Sequence, residues 1–471
     1  MTPDLQLNLL NNLGIDALNP MQEAAQTAIL DDTDTLLMAP TGSGKTLAFL
    51  LPIAQLLNAD LRTVQCLILT PSRELALQIE QVWKTMGTGF KVNTCYGGHP
   101  IDTEINNLSN PPALLIGTPG RIADHLDRQS FSPDDIHTLV LDEFDKSLEL
   151  GFHDQMEFIV SGLTGLRKRV LVSATAGVAI PGFVRLNKPQ TLDFTEDSEQ
   201  PANLTMRVVY ASEDDQPDTL VRLLCSFGND ATNPGGASPG GASPGGANPG
   251  GANPGGANPG GALIFANLRH TAEYVSALLN ERGLSATTYH GGMEQPDRER
   301  ALIRFRNGSV SYLVTTDLAA RGLDIPDMPH VIHYQLPRHE HEFIHRNGRT
   351  ARMHATGTAY VMLTRNQPRP EYLPADMDEE ILPSNRTYSL PAPPDFVTLY
   401  ISGGRKNKLS KGDIAGFCMQ KGQLDKAELG RIDVQDFMSF VAVKRDRVEP
   451  LLARIRDEKM KGKKYKIEVA R

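Results

Sequence analysis

The stretch Ala39-Pro40-Thr41-Gly42-Ser43-Gly44-Lys45-Thr46 follows a short apolar run at 35–38 and precedes a helical pattern at 47–57. Glycines in such a loop let backbone N–H groups surround phosphate oxygens, and the start of the following helix adds partial positive charge. We therefore expect Lys45 to reach the β- and γ-phosphates and Thr46 to ligate Mg²⁺. Ala39 stands where the strict pattern has a glycine. For the stretch alone, a chance turn beside a lysine is the alternative.

A pair of carboxylates is expected to complete this site. The apolar run Leu139-Val140-Leu141 leads directly into Asp142 and Glu143. Parallel sheets bind their ligands beyond the C-terminal ends of strands. Asp142 is therefore predicted to hold Mg²⁺, and Glu143 to orient or deprotonate the attacking water. Alone, the pair could be a solvated charge pair at a strand end; together with the glycine-rich loop it indicates a nucleoside triphosphatase.

Patterns typical of buried strands recur along two parts of the chain. They lie at 35–39, 64–70, 113–117, 138–142 and 169–173, and again at 262–266, 286–290, 312–315, 330–334 and 357–363. Short apolar runs that alternate with amphipathic helical stretches are typical of a parallel, doubly wound sheet. The predicted fold class is therefore α/β, with two tandem parallel-sheet domains.

The last part of the chain has a different pattern. It reads β-α-β-β-α-β, with strands at 396–402, 430–434, 439–444 and 464–469 and helices at 411–421 and 448–459. This order is the ferredoxin-like split βαβ arrangement, which RNA-recognition folds share. We therefore predict a C-terminal α+β domain of the RRM-like type.

The domain boundaries follow from composition. We place the domains at 1–193, 205–367 and 395–471, joined by linkers at 194–204 and 368–394. Residues 233–262 are six tandem copies of (Asn/Ser)-Pro-Gly-Gly-Ala. Such a composition cannot bury enough apolar surface to offset chain entropy, so we predict that the insertion at 233–261 is disordered.

Charge is distributed unevenly along the chain. The whole sequence of 471 residues has a net charge of −9. Residues 391–471 hold 18 basic and 11 acidic residues, a net charge of +7, which leaves −16 on the rest. A basic tail on an acidic body suggests an anionic partner for the tail, although such a tail could also serve solubility alone.

Several features favour a cytoplasmic protein without a membrane partner. The N-terminal residues show no signal-peptide pattern, and no apolar run approaches the roughly 18–20 residues of a membrane helix. The four cysteines are scattered without a CxxC pair. A disulfide framework or zinc site is therefore not expected, and a reducing compartment fits best.

Over residues 10–365 the chain resembles the DEAD-box RNA helicases of superfamily 2, whose two motor domains are RecA-like. The resemblance rests on the order and spacing of many short motifs. Besides the loop and the acidic motif Asp142-Glu143-Phe144-Asp145, these are Pro20-Met21-Gln22, Pro71-Ser72-Arg73-Glu74-Leu75-Ala76, Gly97-Gly98, Thr118-Pro119-Gly120-Arg121, Ser173-Ala174-Thr175, Phe265-Ala266-Asn267, Gln295-Pro296-Asp297-Arg298, Thr316-Asp317-Leu318-Ala319-Ala320-Arg321-Gly322-Leu323-Asp324 and His345-Arg346-Asn347-Gly348-Arg349-Thr350-Ala351-Arg352.

The resemblance implies an ATP site with parts from both motor domains. Gln22 would read adenine through its amide, and Asp324 would hold the ribose. The residues implied around the phosphates are Ala39, Thr41, Gly42, Ser43, Gly44, Lys45 and Thr46. The implied catalytic residues are Lys45, Asp142 and Glu143, with Arg349 and Arg352 as arginine fingers. The residues implied to couple hydrolysis to domain closure are Asp145, Ser173, Thr175 and His345. A solvated basic helix face is the alternative for Arg346, Arg349 and Arg352.

The resemblance also implies RNA as the partner, held through its sugar and phosphate groups. The implied contacts are Arg73, Gly98, Thr118 and Arg121 in the first domain, and Arg298 and Thr316 in the second. For Thr118, as for Asn267, a turn or capping role is equally compatible with the sequence.

The tail resembles the RNA-binding domain of DbpA-type helicases, which recognise a hairpin of large-subunit ribosomal RNA. The resemblance lies in residues 398–406, 411–414, 430–432 and 463–466. The implied RNA contacts are Arg405, Lys406, Lys464 and Lys466. The aromatic pair that stacks on bases in ordinary RNA-recognition domains is not evident, so basic loops would carry the binding. A generic basic domain that only raises RNA affinity is the alternative.

These observations predict an ATP-dependent RNA helicase that acts as a monomer on pre-ribosomal particles during large-subunit assembly. Phe144 replaces the alanine of the family's acidic motif, and no aromatic residue precedes Phe49 to stack on adenine. Both departures favour an alternative function, an ATP-gated RNA clamp or assembly factor with weak unwinding. A DNA helicase is a third candidate, which the motif set and the tail disfavour.

Overall fold

The computed structural model describes residues 3–40, 42–175, 177–195, 204–229, 261–317, 328–350, 356–366, 368–383 and 387–470. The linker predicted at 194–204 and the insertion predicted at 233–261 lie largely outside these residues. The chain divides into two compact units, of which the second carries both the second motor domain and the basic tail.

The first unit is built around a seven-stranded parallel sheet in the order β3-β4-β2-β5-β6-β1-β7. Its strands are β1 (Thr35–Met38), β2 (Cys66–Leu69), β3 (Val92–Cys95), β4 (Leu114–Gly117), β5 (Thr138–Asp142), β6 (Lys168–Ser173) and β7 (Gln190–Asp193). Its helices are α1 (Pro3–Leu13), α2 (Pro20–Leu30), α3 (Lys45–Leu56), α4 (Arg73–Met86), α5 (Ile101–Leu108), α6 (Pro119–Asp127), α7 (Phe144–Glu149) and α8 (His153–Gly162).

Helices cover both faces of this sheet. Successive residues of a strand point to opposite faces, so Val140 packs in one core cluster with Phe49 of α3, while Leu139 packs in another with Met156 of α8. Strands β2 and β5 are consequently buried along their whole length. This burial explains why the sequence shows continuous apolar runs there instead of alternation.

The motor part of the second unit has its own seven-stranded parallel sheet, in the order β10-β11-β9-β12-β13-β8-β14. Its strands are β8 (Leu204–Ala211), β9 (Ala262–Phe265), β10 (Ala286–Tyr289), β11 (Tyr312–Thr315), β12 (His330–His333), β13 (Gly357–Thr364) and β14 (Asp378–Glu379). Its described helices are α9 (Gln216–Asn229), α10 (Arg269–Glu281), α11 (Gln295–Arg306) and α12 (Glu340–Asn347).

The tail forms a four-stranded antiparallel sheet in the order β16-β17-β15-β18. Its elements are β15 (Phe396–Ile401), α13 (Lys411–Gln420), β16 (Leu429–Val434), β17 (Ser439–Lys444), α14 (Val448–Ile455) and β18 (Ile467–Val469). The predicted fold class is thereby confirmed: two parallel sheets and a smaller antiparallel C-terminal sheet. Tyr465 and Ile467 pack against the core of the tail, whereas Val469 is 39% exposed on the edge strand.

The tail packs directly on the motor part of its own unit. Ile303 of α11 forms a hydrophobic cluster with Phe440 of β17 and with Ala470. Beside this cluster the hydroxyl oxygens of Ser309 and Thr398 lie 2.6 Å apart. Apolar contact and hydrogen bonding together fix α11 against one face of the tail sheet.

Among the residues that the structure describes, no helix combines the length and the apolar character that crossing a membrane requires.

Candidate functional site

The loop between β1 and α3 depends on left-handed glycines. Gly42 has φ +86° and Gly44 has φ +90°, a region that residues with a Cβ rarely adopt. A Cβ on Gly44 would also lie 2.4 Å from Nε2 of Gln22. The backbone of Gly44 therefore favours glycine, and any larger residue would also displace the Gln22 amide. Thr41 lies outside the described residues.

Gln22 and Asn19 connect helix α2 to this loop. The backbone N–H of Gln22 donates to Asn19 Oδ1 at 2.9 Å, and that of Asn19 donates to Gln22 Oε1 at 3.0 Å. The Gln22 amide also donates to the carbonyl of Gly44, and the Asn19 amide to that of Ser43. This reciprocal cap holds Gln22 beside the loop, where the sequence places an adenine-reading residue.

Lys45 lies across the loop that precedes it. Its ammonium group donates to the carbonyls of Ala39 at 2.7 Å and Pro40 at 2.8 Å. Thr46 follows in the first turn of α3 and is half-buried. The N–H groups of a helix start and an ammonium group therefore converge at the loop, an arrangement suited to phosphate.

Asp142 ends β5, which lies next to β6 and two strands from β1, so the acidic motif and the loop share one edge of the sheet. Asp142 is 3% exposed. Burial, and then the negative charge of Glu143, raise the pKa of Asp142 to about 7, while Lys45 acts in the opposite direction. Glu143 has a left-handed backbone, and its N–H donates to Asp142 Oδ1 at 3.0 Å.

The donors at this edge fit a divalent cation. Burial and the neighbouring carboxylate of Glu143 raise the pKa of Asp142 although Lys45 lowers it, so a cation bound here would stabilise the ionised carboxylate. Carboxylate and hydroxyl oxygens are ligands that Mg²⁺ accepts, together with phosphate oxygens.

The acidic motif is joined to β6 by side-chain hydrogen bonds. The hydroxyl of Thr175 donates to Asp145 Oδ2 at 2.9 Å, and its oxygen lies 3.1 Å from Ser173 Oγ. Three of the residues expected to couple hydrolysis to closure thus form one cluster. The ring of Phe144 is 1% exposed and belongs to the hydrophobic core with Leu141 and Met156. The sequence did not show that its bulk would be absorbed there.

In the second unit, the buried side chain of Arg346 lies at the centre of a hydrogen-bond network. Its guanidinium donates twice to the carboxylate of Asp317 at 2.6 Å, to Asn267 Oδ1 at 2.8 Å and to the Gln335 carbonyl at 2.6 Å. It is 1% exposed, which excludes a solvated helix face for this arginine. Asn267 is engaged here and with the Leu336 carbonyl, so its role in this structure is to link motifs.

Further predicted site residues lie near Arg346 and Asp317 in the sequence. Arg349 is 7% exposed and Thr316 is 6% exposed, whereas His345 is half-buried. Asp324 and Arg352 lie outside the described residues. Arg298 donates from Nη2 to the Tyr289 hydroxyl at 3.1 Å. Sequence patterns gave Arg346 no separate role, because its partners are scattered along the chain.

The RNA-contact residues predicted in the first unit follow three neighbouring strands. Arg73 begins the helix after β2, Gly98 lies in the turn after β3, and Thr118 and Arg121 follow β4. The guanidinium of Arg73 lies 4.6 Å from the ring centre of Tyr96. Gly98 has φ +84°, and the space that a Cβ would occupy is open. Since neighbouring parallel strands end at one edge, these residues share a surface.

Comparison with known proteins assigns the chain to a family. A model described as DEAD/DEAH box helicase matches residues 19–180, and one described as Helicase conserved C-terminal domain matches residues 256–354. The ATP-dependent RNA helicase DbpA of Escherichia coli is 31% identical over 99% of this chain and 97% of its own length. This chain belongs to the DEAD-box RNA helicase family. It is therefore an enzyme of the ATP-dependent RNA helicase class, as predicted.

Two further comparisons extend this result to the tail and to the fold of this DEAD-box helicase. A model described as DbpA RNA binding domain matches residues 398–469, and the DbpA helicase of Bacillus subtilis is 27% identical over 98% of this chain and 97% of its own length. The solved structure of S. cerevisiae Dbp5 bound to RNA and ADP BeF3 has a TM-score of 0.63 and 26% identity, covering 78% of this chain and 88% of that chain.

Two basic segments of the helicase's tail lie side by side. The backbone N–H of Ser402 donates to the Lys466 carbonyl at 2.9 Å, which brings residues 464–466 next to the turn that contains Arg405 and Lys406. All four predicted RNA-contact side chains are exposed. Three of them are held by acidic neighbours: Arg405 by Asp436 at 3.3 Å, Lys464 by Asp457 at 2.8 Å and Lys466 by Glu468 at 2.7 Å.

The tail sheet contains an aromatic pair on two adjacent strands. Tyr400 of β15 stands directly opposite Phe440 of β17, with ring centres 5.8 Å apart. Phe440 is 0% exposed because Ile303 covers it. Tyr400 is half-buried beside it. That basic loops of the tail carry the RNA binding stays a prediction.

Proposed function

We propose that this helicase hydrolyses ATP when it is bound to RNA and locally separates duplex strands, and that its target is ribosomal RNA during assembly of the large subunit. The observation that carries the proposal is the hydrogen-bonded chain from Asp145 through Thr175 to Ser173. It links the acidic motif of a triphosphatase site to a neighbouring strand, so that a change at the nucleotide can be transmitted.

In the proposed reaction the first unit binds the triphosphate. The loop N–H groups and Lys45 hold the phosphates, and Thr46 and Asp142 would hold Mg²⁺, which neutralises charge on the phosphate oxygens when it is bound. Glu143 orients the attacking water. Gln22 selects adenine and Asp324 holds the ribose. Arg349 and Arg352 would stabilise the charge that develops on the γ-phosphate.

In the proposed RNA complex the contacts are to the backbone of one strand. Arg73, Gly98, Thr118 and Arg121 supply them from the first unit, and Arg298 and Thr316 from the second. Closure of the two motor domains around ATP and this strand would bend the strand away from its partner, and reopening after hydrolysis would release it.

The tail would direct this motor to its target. Its exposed basic segments and net charge of +7 suit the phosphates of a folded RNA, and a hairpin of large-subunit ribosomal RNA is the target we propose. In the same proposal the helicase works as a monomer in the cytoplasm on pre-ribosomal particles.

A second candidate function is an ATP-gated RNA clamp or assembly factor with weak unwinding. The observation that favours it is the absence from the sequence of any aromatic residue before Phe49. Without a stacking ring the adenine would bind more weakly, so the protein would complete fewer cycles of closure.

Steady-state ATP hydrolysis with and without RNA tests the proposal. We expect a large stimulation by ribosomal RNA that contains the hairpin, and a smaller one by an unrelated structured RNA. A helicase proper also displaces a labelled strand next to the hairpin in proportion to the ATP consumed. Hydrolysis without displacement would support the clamp, and hydrolysis indifferent to RNA would refute both.

A further inference from the structure

A buried carboxylate lies beneath the predicted RNA-contact surface of the first unit. Glu104 of α5 is 2% exposed. Its Oε1 accepts the backbone N–H of Tyr96 at 3.2 Å and lies 3.4 Å from Nδ1 of His99. Its Oε2 lies 2.8 Å from Nε2 of His125 and 3.4 Å from Nη1 of Arg121. One side chain therefore joins the end of β3, the turn after it, and helix α6.

These partners explain how the charge is tolerated in the interior. An isolated carboxylate in an apolar core is costly, whereas one that accepts several hydrogen bonds and faces an arginine is compensated. Removing the charge of Glu104 leaves the nitrogen groups of Arg121 and His125 facing a group that no longer attracts them. The arrangement of these groups is thus dependent on one residue.

The partners of Glu104 are themselves linked to the predicted RNA contacts. Tyr96 carries the guanidinium of Arg73 over its ring at 4.6 Å. Arg121 donates from Nη2 to the carbonyl of His99 at 2.9 Å, which fixes the turn that contains Gly98. A guanidinium has five N–H donors in a plane, so one edge can hold these groups while another meets a phosphate.

We propose that Glu104 is a positioning residue that holds Arg73, Gly98 and Arg121 together as one preformed surface for the RNA backbone. The inference rests on the proposed function, which assigns these three residues to RNA. A surface that is already ordered loses less conformational freedom on binding, so its affinity for a flexible strand is higher. Glu104 itself does not touch RNA in this proposal, because it is buried.

The same cluster resembles a metal site in composition, but its chemistry favours hydrogen bonding. One ligand atom each from Cys95, Glu104 and His125 lies within 4.8 Å of the others. Burial, and then the charge of Glu104, raise the pKa of the Cys95 thiol, so a metal would have to displace its proton. Arg121 supplies the positive charge that a cation would otherwise bring.

Glu104→Gln tests the proposal, because it removes the charge and keeps the shape. The RNA concentration for half-maximal ATP hydrolysis is measured with a short oligouridylate, together with KM for ATP and kcat at saturating RNA. We expect the half-maximal RNA concentration to rise about tenfold, the effect of weakening roughly one charged hydrogen bond to phosphate. KM for ATP and kcat at saturating RNA should stay within about twofold, a change that corresponds to about 0.4 kcal/mol.

Asp34→Asn is the matched control. Asp34 is 1% exposed and accepts backbone N–H groups of Arg169 at 2.7 Å and Asn187 at 2.6 Å. It lies just before β1, at the N-terminal ends of the strands, whereas the predicted RNA contacts follow the C-terminal ends. This variant should lower the unfolding temperature without changing the half-maximal RNA concentration. That concentration is independent of the active fraction, so partial unfolding of either variant does not imitate the expected result.

Three results would overturn the proposal. In the first, Glu104→Gln leaves the half-maximal RNA concentration unchanged, as Asp34→Asn does. In the second, it raises KM for ATP as much as the half-maximal RNA concentration. In the third, the purified helicase holds one equivalent of zinc that Glu104→Gln loses. Arg121→Ala separates this failure from that of the proposed function. If Arg121→Ala raises the half-maximal RNA concentration and Glu104→Gln does not, only the positioning role of Glu104 is wrong. If Arg121→Ala has no effect on that concentration, the RNA surface itself is wrongly assigned.

Discussion

Arg346 in the second unit and Asp142 in the first are both buried charges, but their surroundings differ. Arg346 donates to two oxygens of Asp317, to Asn267 and to a backbone carbonyl. Burial, and then the charge of the neighbouring Glu143, raise the pKa of Asp142 to about 7, although its carboxylate accepts one backbone N–H. A charge whose partners are complete stabilises the fold, whereas an under-compensated one is suited to a ligand that brings the missing charge.

Removing the charge of Arg346 should have the largest effect on stability. Arg346→Ala leaves Asp317 and Asn267 without their central partner, and we expect it to lower the free energy of unfolding by about 3–5 kcal/mol, the usual cost of breaking a buried pair. Urea unfolding measures this. Arg282→Ala, which breaks an ion pair with Asp218 that is about half exposed, should cost less than about 1 kcal/mol. Equal effects of the two variants would contradict the stabilising role of the Arg346 hydrogen bonds.

Phe144 offers a second large effect, through packing instead of charge. Because its ring is buried in the core, Phe144→Ala should create a cavity and cost about 3–5 kcal/mol of unfolding free energy, while Phe158→Ala, 49% exposed, should cost far less. The ratio of strands displaced to ATP consumed should not rise. A rise in that ratio at a temperature where the variant stays folded would show that Phe144 impairs coupling and would favour the clamp function.

The under-compensated charge should behave in the opposite way. Asp142→Asn is expected to abolish ATP hydrolysis yet raise the unfolding temperature in metal-free buffer, since burial and Glu143 both disfavour the ionised carboxylate. The folded pKa lies above the ordinary value of 3.8, so wild-type stability from this group falls as pH rises from about 4 to about 7. The advantage of Asp142→Asn should therefore grow over that range and then level off. Asp154→Asn, at an exposed carboxylate, is the control, and a loss of stability at pH 8 would contradict the prediction.

Sequence patterns predict features built from neighbouring residues, but not contacts between residues that are distant in the sequence. The loop, the acidic pair and most buried strands were predictable, because each is a continuous pattern of neighbouring residues. Strand β3 shows no continuous apolar pattern, since its middle residues, Asn93 and Thr94, are only half-buried, and β7 shows none because it is a largely exposed edge strand. The partners of Arg346 lie 29 and 79 residues away, and such pairings are invisible without the fold.

The same limit applies to Glu104 and to the tail sheet. Alternation assigns Phe440 to a face of its sheet but does not reveal that Ile303, from another domain, covers that face. Glu104 stands in an ordinary amphipathic helix, and only the meeting of β3, α5 and α6 makes it central.

The smallest expected effect concerns exposed charges of the tail. Changing Lys464 and Lys466 together to alanine should weaken binding to ribosomal RNA that contains the hairpin. The slope of log affinity against log salt concentration should become shallower by about one for each phosphate that these lysines neutralise. The half-maximal concentration of oligouridylate should not change, because the motor surface is intact. Lys84→Ala, at an exposed lysine that pairs with Glu80, is the control. An equally weakened affinity for both RNAs would favour a generic basic tail.

Displacement of a labelled strand from an RNA duplex attached to the ribosomal hairpin, with ATP hydrolysis followed in the same reaction, tests whether this helicase couples hydrolysis to unwinding. We predict that both proceed with the wild-type helicase, and that Glu143→Gln, which retains the nucleotide-binding loop, supports neither steady hydrolysis nor repeated displacement. Strand displacement at the wild-type rate by Glu143→Gln, or ATP hydrolysis that RNA does not stimulate, would contradict the account.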